Sequence, residues 1–101
     1  LVPPAPITAD HVLGEFSCGE SSLDEWLVKR ALRNHAAGVS RTFVLCDGNK
    51  VIGYYSLSAG AIYRDAAPKA MRRNMPDPLP VLLLGRLAVD ERYHNQGLGQ
   101  A

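Results

Sequence analysis

The feature that most constrains the fold is a nearly continuous apolar run from Val81 to Val89, interrupted at Gly85 and Arg86. Successive side chains of a strand point to opposite faces, so such a run predicts a central strand buried on both faces. Arg86 is a charge inside this run, and it must therefore pair with an acid, extend to solvent or face a cleft. A strand of this kind predicts a globular domain built around it.

Composition limits the chain to one small domain. Its 101 residues are 47% apolar and 21% charged, enough for a core and too apolar for a disordered tail. A net charge of +1 excludes a generally basic nucleic-acid coat. No apolar run reaches the roughly 18 residues that span a bilayer, so we expect a cytoplasmic protein without a membrane partner. Cys18 and Cys46 form no CxxC pair, which favours buried thiols over a disulfide or metal site.

The charges are distributed unevenly along the chain. Residues 1–25 hold five acids and no Lys or Arg, whereas the remainder holds all 11 basic residues and five acids. The basic residues form two groups, which would make a patch for cofactor or RNA phosphates if they met in space. Ordinary solvated surface is the alternative interpretation. The two groups are Lys29, Arg30, Arg33 and Arg41, and then Arg64, Lys69, Arg72 and Arg73.

Helical spacing of apolar residues predicts a helix over residues 23–37, with Trp26 in the core. Ser22 and Glu25 have the spacing of a capping box at its start, and Gly38 is suited to its end. Strands are predicted over residues 42–46 and 51–58, joined by an Asp-Gly turn. Tyr54 and Tyr55 then face opposite sides of the sheet, and Gly53 indicates a bulge. A short helix is predicted over residues 68–73, within a proline-rich connection.

A glycine-rich turn follows the apolar run and predicts a phosphate site. Glycines allow close approach of the backbone, and amides that point one way at a helix N-terminus bind phosphate oxygens. No Lys-Ser or Lys-Thr follows the glycines, which excludes a P-loop, and the spacing fits a dinucleotide-binding fingerprint poorly. The sequence therefore predicts a phosphate-bearing cofactor at the carboxyl end of this strand. The turn comprises His94, Asn95, Gln96, Gly97, Leu98 and Gly99.

The segment RLAVDERYHNQGLG resembles motif A of the GNAT N-acetyltransferases, in which Arg/Gln-x-x-Gly-x-Gly/Ala cradles coenzyme A pyrophosphate. His94 stands where that family has Arg or Gln. The chain is more specifically similar to the GNAT toxins of bacterial type II toxin–antitoxin pairs. That similarity extends from about Asp10 to the last residue, and three further segments carry it. They are the stretch from Cys18 to Leu27, the hairpin strands, and Arg72-Arg73-Asn74-Met75-Pro76.

The resemblance implies an α+β fold, with a mixed, mostly antiparallel sheet flanked by helices. It implies transfer of acetyl from acetyl-CoA to the α-amino group of aminoacyl-tRNA, which blocks translation, and an antitoxin partner. Whether the protein forms a homodimer is left open. The implied cofactor-binding residues are Leu87, Ala88, Val89, Asn95, Gln96, Gly97, Leu98, Gly99, Gln100 and Ala101. The implied RNA-binding residues are Arg30, Arg33, Lys69, Arg72, Arg73 and Arg86.

The catalytic acid is not assigned. The family's late tyrosine would lie beyond Ala101, so residues 1–101 are interpreted as one GNAT domain lacking its C-terminal part. Three histidines have the pKa range of a base, although loop or surface roles explain each of them as well. The alternatives are a GNAT enzyme acting on a small amine or protein N-terminus, and an inactive remnant that binds an antitoxin. The three histidines are His11, His35 and His94.

Overall fold

A four-stranded antiparallel sheet with the strand order β1-β2-β3-β4 forms one layer of the molecule in the computed structural model, which describes residues 3–94. Strand β1 (Ala5–Pro6) pairs with β2 (Arg41–Asp47), which pairs with β3 (Lys50–Ile62). Strand β4 (Leu79–Val89) pairs with β3 along its whole length. The predicted α+β class is confirmed.

The predicted hairpin between β2 and β3 is confirmed. Gly48 adopts the left-handed region with φ +67°, where a residue without a Cβ avoids a steric penalty. Strand β3 continues to Ile62, four residues past its predicted end, because its last residues pair with the start of β4. A connection over residues 63–78 joins the two strands. It contains the predicted short helix, α3 in the chain order, at Lys69–Arg72.

The helical layer is one continuous run: α1 (Ser21–Trp26), a π-helical segment (Leu27–Ala31) and α2 (Leu32–Ala37). It ends at Gly38, in the left-handed region at φ +75°, as predicted. The predicted capping box is wrong, since Ser22 and Glu25 lie inside the helix and its N-cap is Glu20. The Asp24 carboxylate instead binds the segment that precedes the helix, since it accepts a hydrogen bond from the Cys18 amide at 3.0 Å.

The core lies between this helix and the sheet. Tyr54 is fully buried and stacks on Trp26, with ring centroids 5.8 Å apart, and its hydroxyl donates to the Leu23 carbonyl at 2.8 Å. Tyr55 points to the other face, where it stacks on Phe43. The predictions that Trp26 is a core residue and that the two tyrosines face opposite sides are therefore confirmed.

The expectation that the apolar run is buried on both faces is wrong for its first half. Leu82, Leu83 and Leu84 are 73%, 51% and 59% exposed, and burial is reached only at Ala88 and Val89. The reason is the length of the β3–β4 pair: it extends beyond the residue opposite Arg41, where β2 begins and the helical layer has ended. The leucines lie on this extension.

Cys46 is buried and Cys18 is half-buried, and both are free thiols. No metal-binding group of His, Cys, Asp and Glu occurs within residues 3–94. None of the helices in this part of the chain is long and apolar enough to cross a membrane.

Candidate functional site

The outer edge of β4 is the first element of the site. Within the described residues β4 is the last strand of the sheet, so one of its edges has no strand beside it. The Asp90 amide donates to the Ile52 carbonyl on β3 at 2.8 Å. Peptide groups alternate in direction along an antiparallel strand, so those of Ala88 point to β3 while those of Leu87 and Val89 point to the free edge. Two of the three predicted cofactor-binding residues on β4, Leu87 and Val89, thus direct peptide groups to an edge where a ligand can pair with the backbone, and Ala88 does not. The Val89 carbonyl itself lies 2.8 Å from His94 Nε2.

A bulge interrupts β4 just before these residues. Ser56 on β3 lies opposite Arg86 and Leu57 lies opposite Leu84, which leaves Gly85 as the extra residue. A Cβ at Gly85 would lie 3.2 Å from the Ser56 hydroxyl, which favours glycine here. Bulges bend a strand and redirect its peptide groups, and they occur frequently beside active sites. The β2–β3 ladder has its own irregularity at Ile52, next to Gly53, where the sequence indicated one.

Arg86 lies on the helix side of the sheet, with its guanidinium carbon 4.2 Å from the centroid of the Trp26 ring. Trp26 in turn stacks on Tyr54, so the three side chains form a layered group beside the bulge. No salt bridge from Arg86 to an acid occurs within the described residues. The charge is therefore held against an aromatic face, and this contact leaves part of the side chain accessible.

The turn that follows β4, residues 90–94, is the second element of the site. Asp90 is 1% exposed and accepts hydrogen bonds from the Ser17 amide at 3.1 Å and from the Arg92 amide at 3.0 Å. The Arg92 guanidinium donates two more, each at 3.0 Å. These hydrogen bonds, chiefly those from the Arg92 guanidinium, hold the pKa of the Asp90 carboxyl far below its ordinary range.

This network predicts a pH-dependent stability. Asp90→Asn is expected to lower the free energy of unfolding by about 2 kcal/mol near neutral pH, because it removes a buried ionised acceptor. A depressed pKa in the folded state favours folding above the ordinary carboxyl pKa, and that contribution is lost as the pH falls towards the folded value. Denaturant unfolding of both proteins between about pH 7 and pH 2 should give stabilities that converge in acid. A constant difference would contradict the prediction.

The third element is a basic end of the sheet, opposite the β2–β3 turn. The Thr42 amide donates to His35 Nδ1 at 3.0 Å, which places the end of the helix beside the start of β2. The connection between β3 and β4 closes the sheet at this same end. Both predicted basic groups have members at this end, although the five residue pairs of β3 and β4 beyond Leu57 separate the start of β2 from the connection. We call this region the basic end; its residues are Arg33, Arg41, Lys69, Arg72 and Arg73.

The predicted RNA-binding residues differ in how they are held. The Arg72 guanidinium donates to the Ala67 carbonyl at 2.9 Å and to the Asp65 carbonyl at 3.4 Å, so it also holds the connection together. The side chains of Lys69 and Arg73 make no hydrogen bond or ion pair with the described residues. Arg30 and Arg33 are exposed on the helical layer. The structure leaves the RNA-binding role of all six predicted residues as a prediction.

A cavity of about 240 Å³ opens beside the basic end. It lies between the loop that follows the helix and the extended part of the β3–β4 pair. Its lining is largely apolar, from Phe43, Leu57 and Leu82, with Arg41 as its charged member. Leu57 is paired with Leu84, one residue before the bulge, so the cavity is close to the middle of β4.

The histidines considered as bases all contact the backbone. The Thr8 amide donates to His11 Nδ1 at 2.9 Å, and His35 receives the Thr42 amide. His94 Nε2 lies 2.8 Å from the Val89 carbonyl, a hydrogen bond when that nitrogen carries the proton. The buried Tyr54 hydroxyl and the Tyr93 hydroxyl, which donates to Asp47, are likewise engaged. The catalytic acid and base therefore stay unassigned.

Seven predicted cofactor-binding residues lie outside the described residues, and their binding role stays a prediction. They are Asn95, Gln96, Gly97, Leu98, Gly99, Gln100 and Ala101. Sequence reasoning missed the bulge at Gly85 and the network of Asp90. A glycine inside an apolar strand was a signal for the first. An acid directly after a buried strand was a weaker signal for the second.

Comparison with known proteins identifies the family. No family model matches the chain. The tRNA-acetylating toxin of Mycobacterium tuberculosis is 55% identical over 91 residues, which are 90% of this chain and 54% of that toxin. Over these residues the chain is a close homologue of a tRNA-acetylating toxin. The family prediction is confirmed. The chain spans about half the length of the curated relatives that it matches.

Two solved structures of this family have the same fold. AtaT complexed with acetyl-methionyl-tRNAfMet superposes with a TM-score of 0.84 at 33% identity, over 96% of this chain and 61% of that chain. A mutant AtaT toxin bound to the C-terminus of the antitoxin AtaR and acetyl-CoA gives a TM-score of 0.77 at 31% identity. That match covers 96% of this chain and 57% of the other.

Proposed function

We propose that this protein transfers acetyl from acetyl-CoA to the α-amino group of an aminoacyl-tRNA and thereby blocks translation. The observation that carries the proposal is the free edge of β4, where the peptide groups of Leu87 and Val89 point outward directly after a bulge. The 55% identity to a tRNA-acetylating toxin supports the choice of substrate. This site would act in a single GNAT domain of which residues 1–101 are part.

Acetyl-CoA supplies the activated acetyl group when it is bound. Outward N–H and C=O groups of β4 suit the amides of its pantetheine arm, which would lie along the edge as an added strand does. The N–H of Leu87, the outward donor nearer the bulge at Gly85, would donate to the thioester oxygen, which gains negative charge as the amine attacks. The glycine turn, residues 94–99, and Gln100 and Ala101 would supply amides to the pyrophosphate.

The acceptor would approach from the basic end. tRNA phosphates require cations, and Lys69 and Arg73 there are not engaged by the described residues. Arg86 would add a cation beside the bulge, held by the Trp26 ring. Residues 90–94, at the carboxyl end of β4, and the basic end lie at opposite ends of the sheet, so the two substrates would meet near Gly85 without competing for the same surface.

Two further parts of the proposal rest on the relatives. A mutant AtaT toxin binds the C-terminus of the antitoxin AtaR, and we propose an antitoxin as a partner of this protein as well. A cytoplasmic location follows from a tRNA substrate.

Labelled acetyl-CoA separates this function from its alternatives. The protein is incubated with aminoacylated tRNA, with deacylated tRNA and with a peptide that has a free N-terminus. Label recovered on the aminoacyl group alone is the expected result. Label on the peptide alone would support a GNAT enzyme of another substrate class. If the protein binds acetyl-CoA but labels none of the three acceptors, the proposed acceptor is wrong; if it binds none, the inactive-remnant alternative stands.

A further inference from the structure

Asp90 uses its buried carboxylate to join three parts of the chain. Its oxygens accept four hydrogen bonds, one from the Ser17 amide and three from the backbone and guanidinium of Arg92. Ser17 belongs to the segment that leads into α1, whereas Arg92 belongs to the turn after β4. The carboxylate therefore fixes the end of β4 to both of them at once.

Other contacts anchor the same turn at every residue. The Glu91 amide donates to the Ser17 carbonyl at 2.8 Å, and Arg92 also donates to the Glu15 carbonyl at 3.2 Å. The Tyr93 hydroxyl donates to Asp47 at 3.0 Å, in the β2–β3 turn. His94 Nε2 lies 2.8 Å from the Val89 carbonyl on β4. Such anchoring is unusual for an exposed connection, because loops commonly tolerate motion.

A purely stabilising role does not explain a buried carboxylate well. Removing an ion from water is costly, and an apolar pair of similar volume often gives equal or greater stability. What a buried charge with four directional partners does provide is a single geometry for the groups around it. In this chain, those groups lie between the outward peptide groups of β4 and the glycine turn predicted to hold pyrophosphate.

We propose that Asp90 is a positioning residue for coenzyme A. It fixes the end of β4 and residues 90–94 in one geometry, so that the outward peptide groups of Leu87 and Val89 and the first residue of the predicted cofactor-binding turn, His94, are presented together to one ligand molecule. The inference rests on the proposed function, since the ligand that needs both ends is acetyl-CoA. A ligand held at two points loses affinity when the separation between those points varies, because binding must then order the protein as well.

The test is the affinity for coenzyme A of Asp90→Asn, measured by titration calorimetry at a temperature where the variant is folded. Asparagine has the same shape but lacks the charge and one acceptor oxygen. We expect the dissociation constant for coenzyme A, and KM for acetyl-CoA, to rise about tenfold or more. We expect kcat at saturating acetyl-CoA and KM for the acceptor to stay within about twofold, because Asp90 touches neither reacting group.

Val44→Ala is the matched control, since Val44 is a fully buried core residue on β2, which is separated from β4 by β3. It should lower stability and leave the affinity for coenzyme A unchanged, which separates positioning from general destabilisation. Equal loss of affinity in Val44→Ala and Asp90→Asn would overturn the inference. So would a folded Asp90→Asn protein that binds coenzyme A as the parent does.

A second variant keeps the inference testable if Asp90→Asn does not fold. Arg92 is half exposed, so Arg92→Gln removes the charged partner from the surface side. Because the Arg92 guanidinium donates two of the four hydrogen bonds to the Asp90 carboxylate, Arg92→Gln alone is expected to raise the dissociation constant for coenzyme A several-fold and to leave kcat at saturating acetyl-CoA unchanged. No loss of affinity in a folded Arg92→Gln protein would contradict the inference. Failure of the parent protein to bind coenzyme A would instead contradict the proposed function, and the inference with it.

Discussion

Replacing Leu87 with proline is expected to lower kcat for acetyl transfer by about 10²- to 10³-fold while the protein stays folded. Proline has no N–H, so the change deletes one outward donor of the β4 edge. The ladder with β3 does not use that donor, because the peptide groups of Leu87 point away from β3. The loss is expected in kcat, since the thioester oxygen needs the donor most when it carries charge.

Leu87→Ala is the matched control, because it removes the same side chain and keeps the N–H. It should retain kcat within a few-fold. Thermal unfolding of both variants shows whether the proline has disturbed the sheet. Full activity in a folded Leu87→Pro protein would contradict the assignment of this N–H to the transferred acetyl group, and equal losses in both variants would assign the effect to the side chain.

The second large effect is expected at the basic end. Lys69→Gln combined with Arg73→Gln should weaken tRNA binding about tenfold and reduce the slope of log affinity against log salt by roughly 2. Each cation would otherwise displace one counterion from the tRNA. Neither side chain makes a hydrogen bond within the described residues, so the fold should not change. Filter binding or fluorescence anisotropy over a salt series measures both quantities.

Lys29→Gln combined with Lys50→Gln removes the same charge elsewhere. Lys29 pairs with Glu25 on the helix at 3.9 Å, and Lys50 lies at the β2–β3 turn, away from the basic end. This control should keep the salt slope of the parent protein, and both double variants should keep its affinity for acetyl-CoA. If the two double variants lose tRNA affinity equally, net charge rather than the basic end determines binding.

Much of the fold follows from local chemistry in the sequence. The Asp-Gly turn defines the hairpin because Gly48 needs a positive φ, and Gly38 ends the helix for the same reason. Alternation separates Tyr54 from Tyr55 without any knowledge of the tertiary structure. These features depend on residues within a few positions of one another, which is why the sequence alone predicts them.

The errors arise where distant segments decide the outcome. The start of the helix was predicted from Ser22 and Glu25, but the Asp24 carboxylate is used by the incoming chain at Cys18. Burial of Leu82 to Leu84 was predicted from their apolar character, yet exposure there depends on how far β3 and β4 extend past β2. The local sequence pattern indicates neither the hydrogen bond between Asp24 and Cys18 nor the length of the β3–β4 pair.

The candidate site was predictable in outline only. The glycine turn after an apolar strand indicates phosphate, and its match to motif A identifies the family. Which amides of β4 face outward depends on the register of β3 and on the extra residue at Gly85. The contact of Arg86 with Trp26 depends on how a helix packs on the sheet, and that helix lies about sixty residues earlier in the chain.

The central claim is that acetyl-CoA binds along the free edge of β4. Amide chemical shifts in solution, followed while coenzyme A is added, test it residue by residue. The Leu87 and Val89 amides should shift strongly, whereas the Ala88 amide, which points to β3, should shift much less. Large shifts elsewhere with none at Leu87 and Val89 would contradict the account.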